Sequence, residues 1–330
     1  MDQLHAIIIW LNSFLWGPPM LVVLMGTHVF LTIRLKFIQR FLPLAIRLSF
    51  SKDEGGKGDV SHFGALATAL AATIGTGNIV GVGTAVALGG PGAVFWCWLT
   101  GIFGFATKFA EAVLAIKYRV QTSDGTMLGG PMYALEKGLG QKWLARMFCV
   151  CTAVAGLGIG NMVQANSISK MAHSTFGLPT YITGIVIAVI VAVVILGGVK
   201  SIARVCEGIV PFMAVFYIIG CGIILYFNRS ALGSAIVLIV QSAFTAQAAG
   251  GGFAGATVMM AARYGIARGL FSNEAGLGSA PIVAAAAKTS NPVKQALVSA
   301  TGTFWDTVVV CALTGVVLVS TIILHPADFG

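Results

Sequence analysis

The 330-residue chain is 57% hydrophobic and only 9% charged, with 42 glycines and a mean hydropathy of +0.90. Soluble domains carry about 25% charged residues, so this composition belongs to an all-α integral membrane protein. The net charge of +9 is spread over the borders of apolar runs and gives no support to a nucleic-acid partner.

Met1 to His5 contains no Lys or Arg, so a basic signal-peptide leader is not expected and the first helix should remain in the mature protein. Residues 7–33 form the first expected span, with Pro18-Pro19 at a kink or helix start. Arg34, Lys36, Arg40, Arg47, Lys52 and Lys57 follow, which places that stretch in the cytoplasm and the N-terminus outside. The next span, 63–88, is broken at its centre by Gly75-Thr76-Gly77-Asn78. Two glycines around a threonine, followed by asparagine, oppose helix there. Gly89-Gly90-Pro91-Gly92 makes an external turn, and 93–116 crosses back.

A cytoplasmic loop is expected over 117–146, then crossings at 143–169, 181–196 and 209–227. Segment 228–262 reads as external, and its apolar part, 235–244, is too short to span and is expected to be re-entrant or interfacial. A second interrupted span, 263–287, has Ser272, Asn273 and Glu274 in its middle, and 296–324 crosses outward. In this eight-span topology the inner segments hold 15 of the 20 basic residues, and the outer ones hold Arg229 alone. Paired breaks in corresponding positions mark the central site of a secondary transporter.

Unwound backbone within a membrane must line a cavity or meet a ligand. Asn78 can hydrogen-bond a ligand carboxylate at the N-terminus of the second half-helix, or simply cap that half-helix. Carbonyls near Ala72, Thr73 and Gly75 can hold a cation, or be satisfied by Thr73 or Thr76. Gly77 and Gly81 also form a GxxxG packing face. Asn161 and Gln164 share a helix face, with Asn166 nearby; Gln164 is the ligand candidate and interhelix bonding is its alternative. Glu274 can neutralise an ammonium, carry a proton, or pair with Arg263 or Arg268. Asp306 is a candidate for coupling or for structure. Lys108 and Glu111, three apart, are expected to pair. The six cysteines lie in apolar stretches and read as small buried hydrophobes.

No enzyme motif is present. Val80 breaks a dinucleotide fingerprint, no Gly-Lys-Ser/Thr follows a glycine loop, and the histidines sit near span ends, apart from His28 on a peripheral-looking first helix.

The run Gly89-Gly90-Pro91-Gly92-Ala93-Val94-Phe95-Trp96-Cys97-Trp98 resembles a signature of the alanine/glycine:cation (sodium:alanine) symporter family. Gly75-Thr76-Gly77-Asn78-Ile79, Gly269 to Pro281 and Thr303-Phe304-Trp305-Asp306-Thr307 are similar to that family too, while Cys97 and Gly101 depart from it. The resemblance implies two inverted five-helix repeats, with an extra first helix, and sodium-driven uptake of alanine or glycine across the inner membrane. It maps substrate contacts to Thr76, Gly77, Asn78, Gln164, Phe271 and Asn273, with Ser272 carbonyls beside Phe271, and sodium to carbonyls near Ala72 and Gly75. No organic cofactor is implied. The corresponding division is an extra helix and basic loop at 1–62, a first repeat at 63–227, an external loop at 228–262 and two helices of a second repeat at 263–330. By that logic roughly 130 residues of the second repeat are expected beyond Gly330. A non-transporting sensor or remnant of the same fold, and an ion channel, are the alternatives.

Overall fold

The structure is a computed structural model and describes residues 2–51, 56–245 and 257–328. It is helical apart from one two-stranded hairpin, with β1 at Val120–Gln121 and β2 at Met127–Leu128. In chain order the helices are α1 (Asp2–Leu15), α2 (Pro18–Arg34), α3 (Leu42–Ser49), α4 (His62–Thr73), α5 (Gly77–Gly89) and α6 (Gly92–Lys117). They are followed by α7 (Lys142–Phe176), α8 (Thr180–Leu196), α9 (Gly198–Phe227), α10 (Arg229–Ser242), α11 (Val258–Asn273), α12 (Ala280–Ala285) and α13 (Pro292–Leu324).

Four of these, α6, α7, α9 and α13, are long and apolar enough to cross a membrane, and two bent pairs, α2 with Ile38–Ser49 and α4 with α5, bring the number among the described residues to six if each pair is one span. The first expected span is not one helix. The chain breaks at Trp16-Gly17 because Pro18 opens a new helix as its first residue, where its missing N–H costs nothing. Helix α2 then bends by 69° into the basic stretch, which folds as Ile38–Ser49 instead of running on as a loop. The segment expected to be re-entrant is α10, whose Ala235 and Ile239 are fully buried against α6 and α13. Residues 246–256, the rest of that expected loop, and Lys52 lie outside the described residues.

Helix α6 is the centre of the bundle. Small residues along it (Gly101, Gly104, Ala106 and Ala112 among them) let α2, α11, α12 and α13 approach closely, as membrane helices require. Apolar clusters extend outward from it. Val82, Val94, Ile239 and Val319 join α5, α6, α10 and α13. Phe105, Ala284 and Leu297 join α6, α12 and α13, and Leu70, Val210 and Val310 join α4, α9 and α13.

Helices α7 and α8 are largely exposed. This corrects the reading of the cysteines: Cys97, Cys221 and Cys311 are buried, Cys206 is half-buried, but Cys149 and Cys151 are exposed on α7. An apolar run suits a lipid-facing surface as well as a protein core, and composition does not separate the two. His28 is corrected in the opposite sense. It is fully buried, and its Nδ1 lies 2.8 Å from the Thr107 hydroxyl on α6, so α2 is an integral part of the bundle.

Candidate functional site

Both expected breaks are present, and each has a local cause. At the first, α4 ends at Thr73 and Ile74 is extended, with a 53° bend before α5. Asn78 ties the gap from inside α5 and does not cap it: its Oδ1 reaches back to accept from the Gly75 N–H at 2.8 Å, and its own N–H donates to the Gly75 carbonyl at 3.1 Å. At the second, Glu274 takes a left-handed conformation (φ 54°) directly after α11 and its N–H donates to the Leu270 carbonyl at 3.1 Å. Gly276 (φ 89°) and Gly278 (φ 79°) then keep the chain out of helix until α12 begins at Ala280, with Pro281 in its first turn. A Cβ on Gly278 would lie 2.7 Å from Pro131 and 2.9 Å from Phe148.

Asp306 connects the two breaks. It lies in α13 within a stretch of i→i+5 turns, Phe304–Cys311, a distortion that recurs at functional sites in helices. Its carboxylate is fully buried and accepts from Asn78 Nδ2 at 2.7 Å, Ser272 Oγ at 2.8 Å and Thr307 Oγ1 at 2.8 Å. Asn78 Nδ2 also lies 3.2 Å from Ser272 Oγ. One residue from each break therefore meets a single carboxylate, which the sequence left without a partner.

Helix α6 holds the second break from the other side. Lys108 and Glu111 do not form the expected ion pair. The buried Lys108 ammonium donates to the Asn273 carbonyl at 2.6 Å, at the C-terminus of α11, where a cation is favoured. Glu111 lies beside the same loop, close to Gly276 and Gly278, with its Oε2 buried and without a hydrogen-bond partner. Both side chains face the unwound loop instead of each other. Glu274 pairs with neither Arg263 nor Arg268; its carboxylate accepts from the Ser279 hydroxyl.

A cavity of about 320 Å³ opens beside the first break, at the small end of ligand pockets. Thr76 and Gly77 form its wall together with Gln164 from α7 and Phe271 from α11. Thr76 Oγ1 donates to Gln164 Oε1 at 2.7 Å. Asn78 and Asn273 are fully buried and Ser272 nearly so; all three sit behind this wall. Among the expected cation carbonyls, Ala72 is exposed, the Thr73 hydroxyl bonds the Leu70 carbonyl at 3.3 Å, and Gly75 receives the Asn78 N–H. Asn161 does not join Gln164. A run of i→i+5 turns over Gly156–Met162 rotates the helix between them, and Asn161 faces α8, while Asn166 is exposed.

Three lining groups were not expected from sequence. Trp16 stands edge-on to Phe271, with ring centroids 6.4 Å apart, and Tyr264 shares the wall. Arg268 lies one turn before Phe271, its guanidinium 4.5 Å from that ring. The available signal was an arginine inside an apolar span on the face shared by positions i and i+3.

Comparison with known proteins follows the same lines. A family model described as the sodium:alanine symporter family matches residues 1–328. The chain is 57% identical over 314 residues to the sodium/alanine symporter AgcS of Methanococcus maripaludis, covering 93% of the chain and 68% of that protein. It is 55% identical over 320 residues to an uncharacterized transporter of Haemophilus influenzae, covering 96% and 70%. It is 40% identical over 309 residues to the probable sodium/glutamine symporter GlnT of Bacillus subtilis, covering 93% and 64%. The chain belongs to the sodium:alanine symporter family, a family of multi-pass membrane transporters and not of enzymes.

Proposed function

We propose that the protein imports a small neutral amino acid, alanine or glycine, coupled to sodium by alternating access across the inner membrane, with its N-terminus outside. The observation that carries this reading is the cavity beside the first break, small in volume and backed by the Asn78–Asp306–Ser272 junction. The name of the AgcS relative supports alanine, and that of the GlnT relative, a probable sodium/glutamine symporter, points to a larger neutral amino acid for that protein. Phe271, with Trp16 against it, limits the room for the substrate side chain. Gln164 Oε1, already accepting from Thr76, has a second lone pair to offer the substrate ammonium. Gly77 supplies close backbone approach. Asn78, Ser272 and Asn273 support the wall from behind and bring the substrate site into register with Asp306.

Sodium, as the co-transported ion, requires oxygen donors. Carbonyls over 72–75 at the first break and the Asp306 carboxylate at the junction are the candidate oxygens, and Glu274 is a second coupling candidate at the loop. In this reading cation binding pulls the two breaks together and closes the cavity. Helices α4–α9 form one structural repeat and α11–α13 begin the second, inverted with respect to it.

Binding of radiolabelled alanine to the purified chain in detergent, in sodium and in choline, tests the function. Saturable binding in sodium that weakens in choline is expected, and Gln164→Ala should weaken it by about 1–2 kcal/mol, the worth of one lost hydrogen bond. Absence of alanine and glycine binding in both salts would refute the reading.

A further inference from the structure

Where α2 bends into α3, cations gather without an acid. Arg34, Lys36, Arg40 and Arg47 are all exposed, and among the described residues none of their side chains makes a hydrogen bond or an ion pair. No Asp or Glu occurs between Asp2 and Asp53. Lys36 and Phe37 both take left-handed backbone conformations (φ 52° and 57°), and the chain turns there by 69°. Residues other than glycine hold that region only where their surroundings impose it. Here those surroundings lie on the inner side. Gln39 Nε2 donates to Thr32 Oγ1 at 2.9 Å and to the Ile102 carbonyl of α6 at 3.2 Å. Ala45 is fully buried, and Leu35, Ile38 and Leu42 pack with it against α6 and α13. Pinned on that side, the elbow presents its cations outward together with aromatic rings. Phe37 is 61% exposed and Phe50 71%, and the Arg40 guanidinium lies 4.8 Å above the exposed Phe41 ring.

The position of this face limits what can cover it. The outer side of α2 is apolar up to this point, with Val22, Val23 and Phe30 exposed, and the helix ends at Arg34. The elbow therefore lies where hydrocarbon gives way to water. Aromatic rings are favoured at that level, and long cationic side chains reach from it to the headgroups. Lys and Arg clustered beside a membrane helix attract anionic lipid. A second copy of the chain packed on the same face would set these cations against themselves, which like-charge repulsion opposes.

We propose that the α2–α3 elbow is a seat for anionic phospholipid of the surrounding bilayer. Arg34, Lys36, Arg40 and Arg47 hold the lipid phosphates, and Phe37, Phe41 and Phe50 enter the acyl boundary. The seat is separate from the amino-acid cavity and does not depend on it. Because Leu42 and Ala45 join the core shared by α6 and α13, an occupied seat also braces those helices.

Native mass spectrometry of the purified chain, equilibrated in detergent with phosphatidylglycerol and phosphatidylcholine of identical acyl chains, tests this. Each exposed cation at an anionic surface is worth roughly fivefold in affinity, so wild-type protein should prefer phosphatidylglycerol on the order of tenfold or more. The preference should be clear at about 0.1 M salt and fade near about 1 M, where charges are screened within about 3 Å. Arg34→Gln, Lys36→Gln, Arg40→Gln and Arg47→Gln combined should abolish it. The same change at the exposed Lys117, Lys137, Lys142 and Arg146 should leave it intact. Phe37→Ala should weaken retention of both lipids and keep the preference between them. Equal retention of the two lipids by wild-type protein would overturn the proposal without any variant having to fold. Equal losses in the two fourfold variants would reduce the effect to net charge and overturn it too. Displacement of the lipid by free inorganic phosphate, or dimers in place of lipid-bound monomers, would replace the lipid seat with an anion site or a subunit contact.

Discussion

At Asp306, donors from α5, α11 and α13 itself converge on one buried carboxylate, and the site depends on keeping all of them. A buried anion deprived of a donor costs about 1–3 kcal/mol or more. Asn78→Ala should therefore lower the thermal midpoint of the purified chain by several degrees, whereas Thr84→Ala, at an exposed position on the same helix, should leave it unchanged. Equal midpoints for the two variants would show that the junction contributes nothing to stability. Gly81 belongs to this scale as well. Because its hydrogen occupies the place a methyl would need beside Nη1 of Arg268, Gly81→Ala forces that guanidinium to move. Overpacking costs about 1–3 kcal/mol, and the expected readout is a roughly tenfold or greater loss of alanine affinity with the fold retained by circular dichroism. Unchanged affinity would mean that Arg268 is free to relocate without consequence.

Among the elements, the loops that meet beyond the ends of α6 and α12 form a clasp. Arg119, just after α6, donates to the carbonyls of Ala285 and Ala287 at 3.0 and 2.9 Å, and to those of Lys57 and Thr289 at 3.0 and 2.7 Å. Val60 and Ala287 pair beside it in a parallel bridge. Residues 57–60, Arg119 and 285–289 therefore meet at one end of the molecule. Arg119→Ala should accelerate hydrogen exchange at the amides of Asp59, Val60 and Lys288, which are bonded across this clasp, and leave α6 protected. Equal exchange rates would remove the clasp from the account. The neighbouring hairpin is closed by Asp124, which the Thr122 hydroxyl foremost, and then the Thr126 hydroxyl, hold below the usual carboxylate range. A depressed folded value stabilises the turn above the unfolded value of about 3.9 and is lost as pH falls through the folded one. Exchange at the Thr126 amide, which donates to Asp124, should thus follow its ordinary pH course down to about pH 4 and accelerate relative to it only in stronger acid.

For the whole molecule, the helical membrane class and the two breaks were legible in the sequence, because glycine, proline and asparagine placed inside apolar runs have few readings in lipid. Both breaks, the turn at 89–92 and the central crossing α6 follow from such local signals. What escaped depends on packing between distant segments. The partner of Asp306 lies 228 residues away, and Lys108 reaches a carbonyl 165 residues distant in place of its neighbour Glu111. The runs of i→i+5 turns leave no periodic trace, so the divergence of Asn161 from Gln164 was hidden. His28 read as peripheral because its partner, Thr107, lies on another helix.

The central claim is that the cavity at the first break and the Asp306 junction form one coupled unit. Alanine affinity measured across a sodium titration, for wild-type protein and for Asp306→Asn, tests it most directly. The account predicts that wild-type affinity rises with sodium while that of the variant stays flat. Parallel sodium dependence in the two proteins would contradict it and place the coupling ion elsewhere.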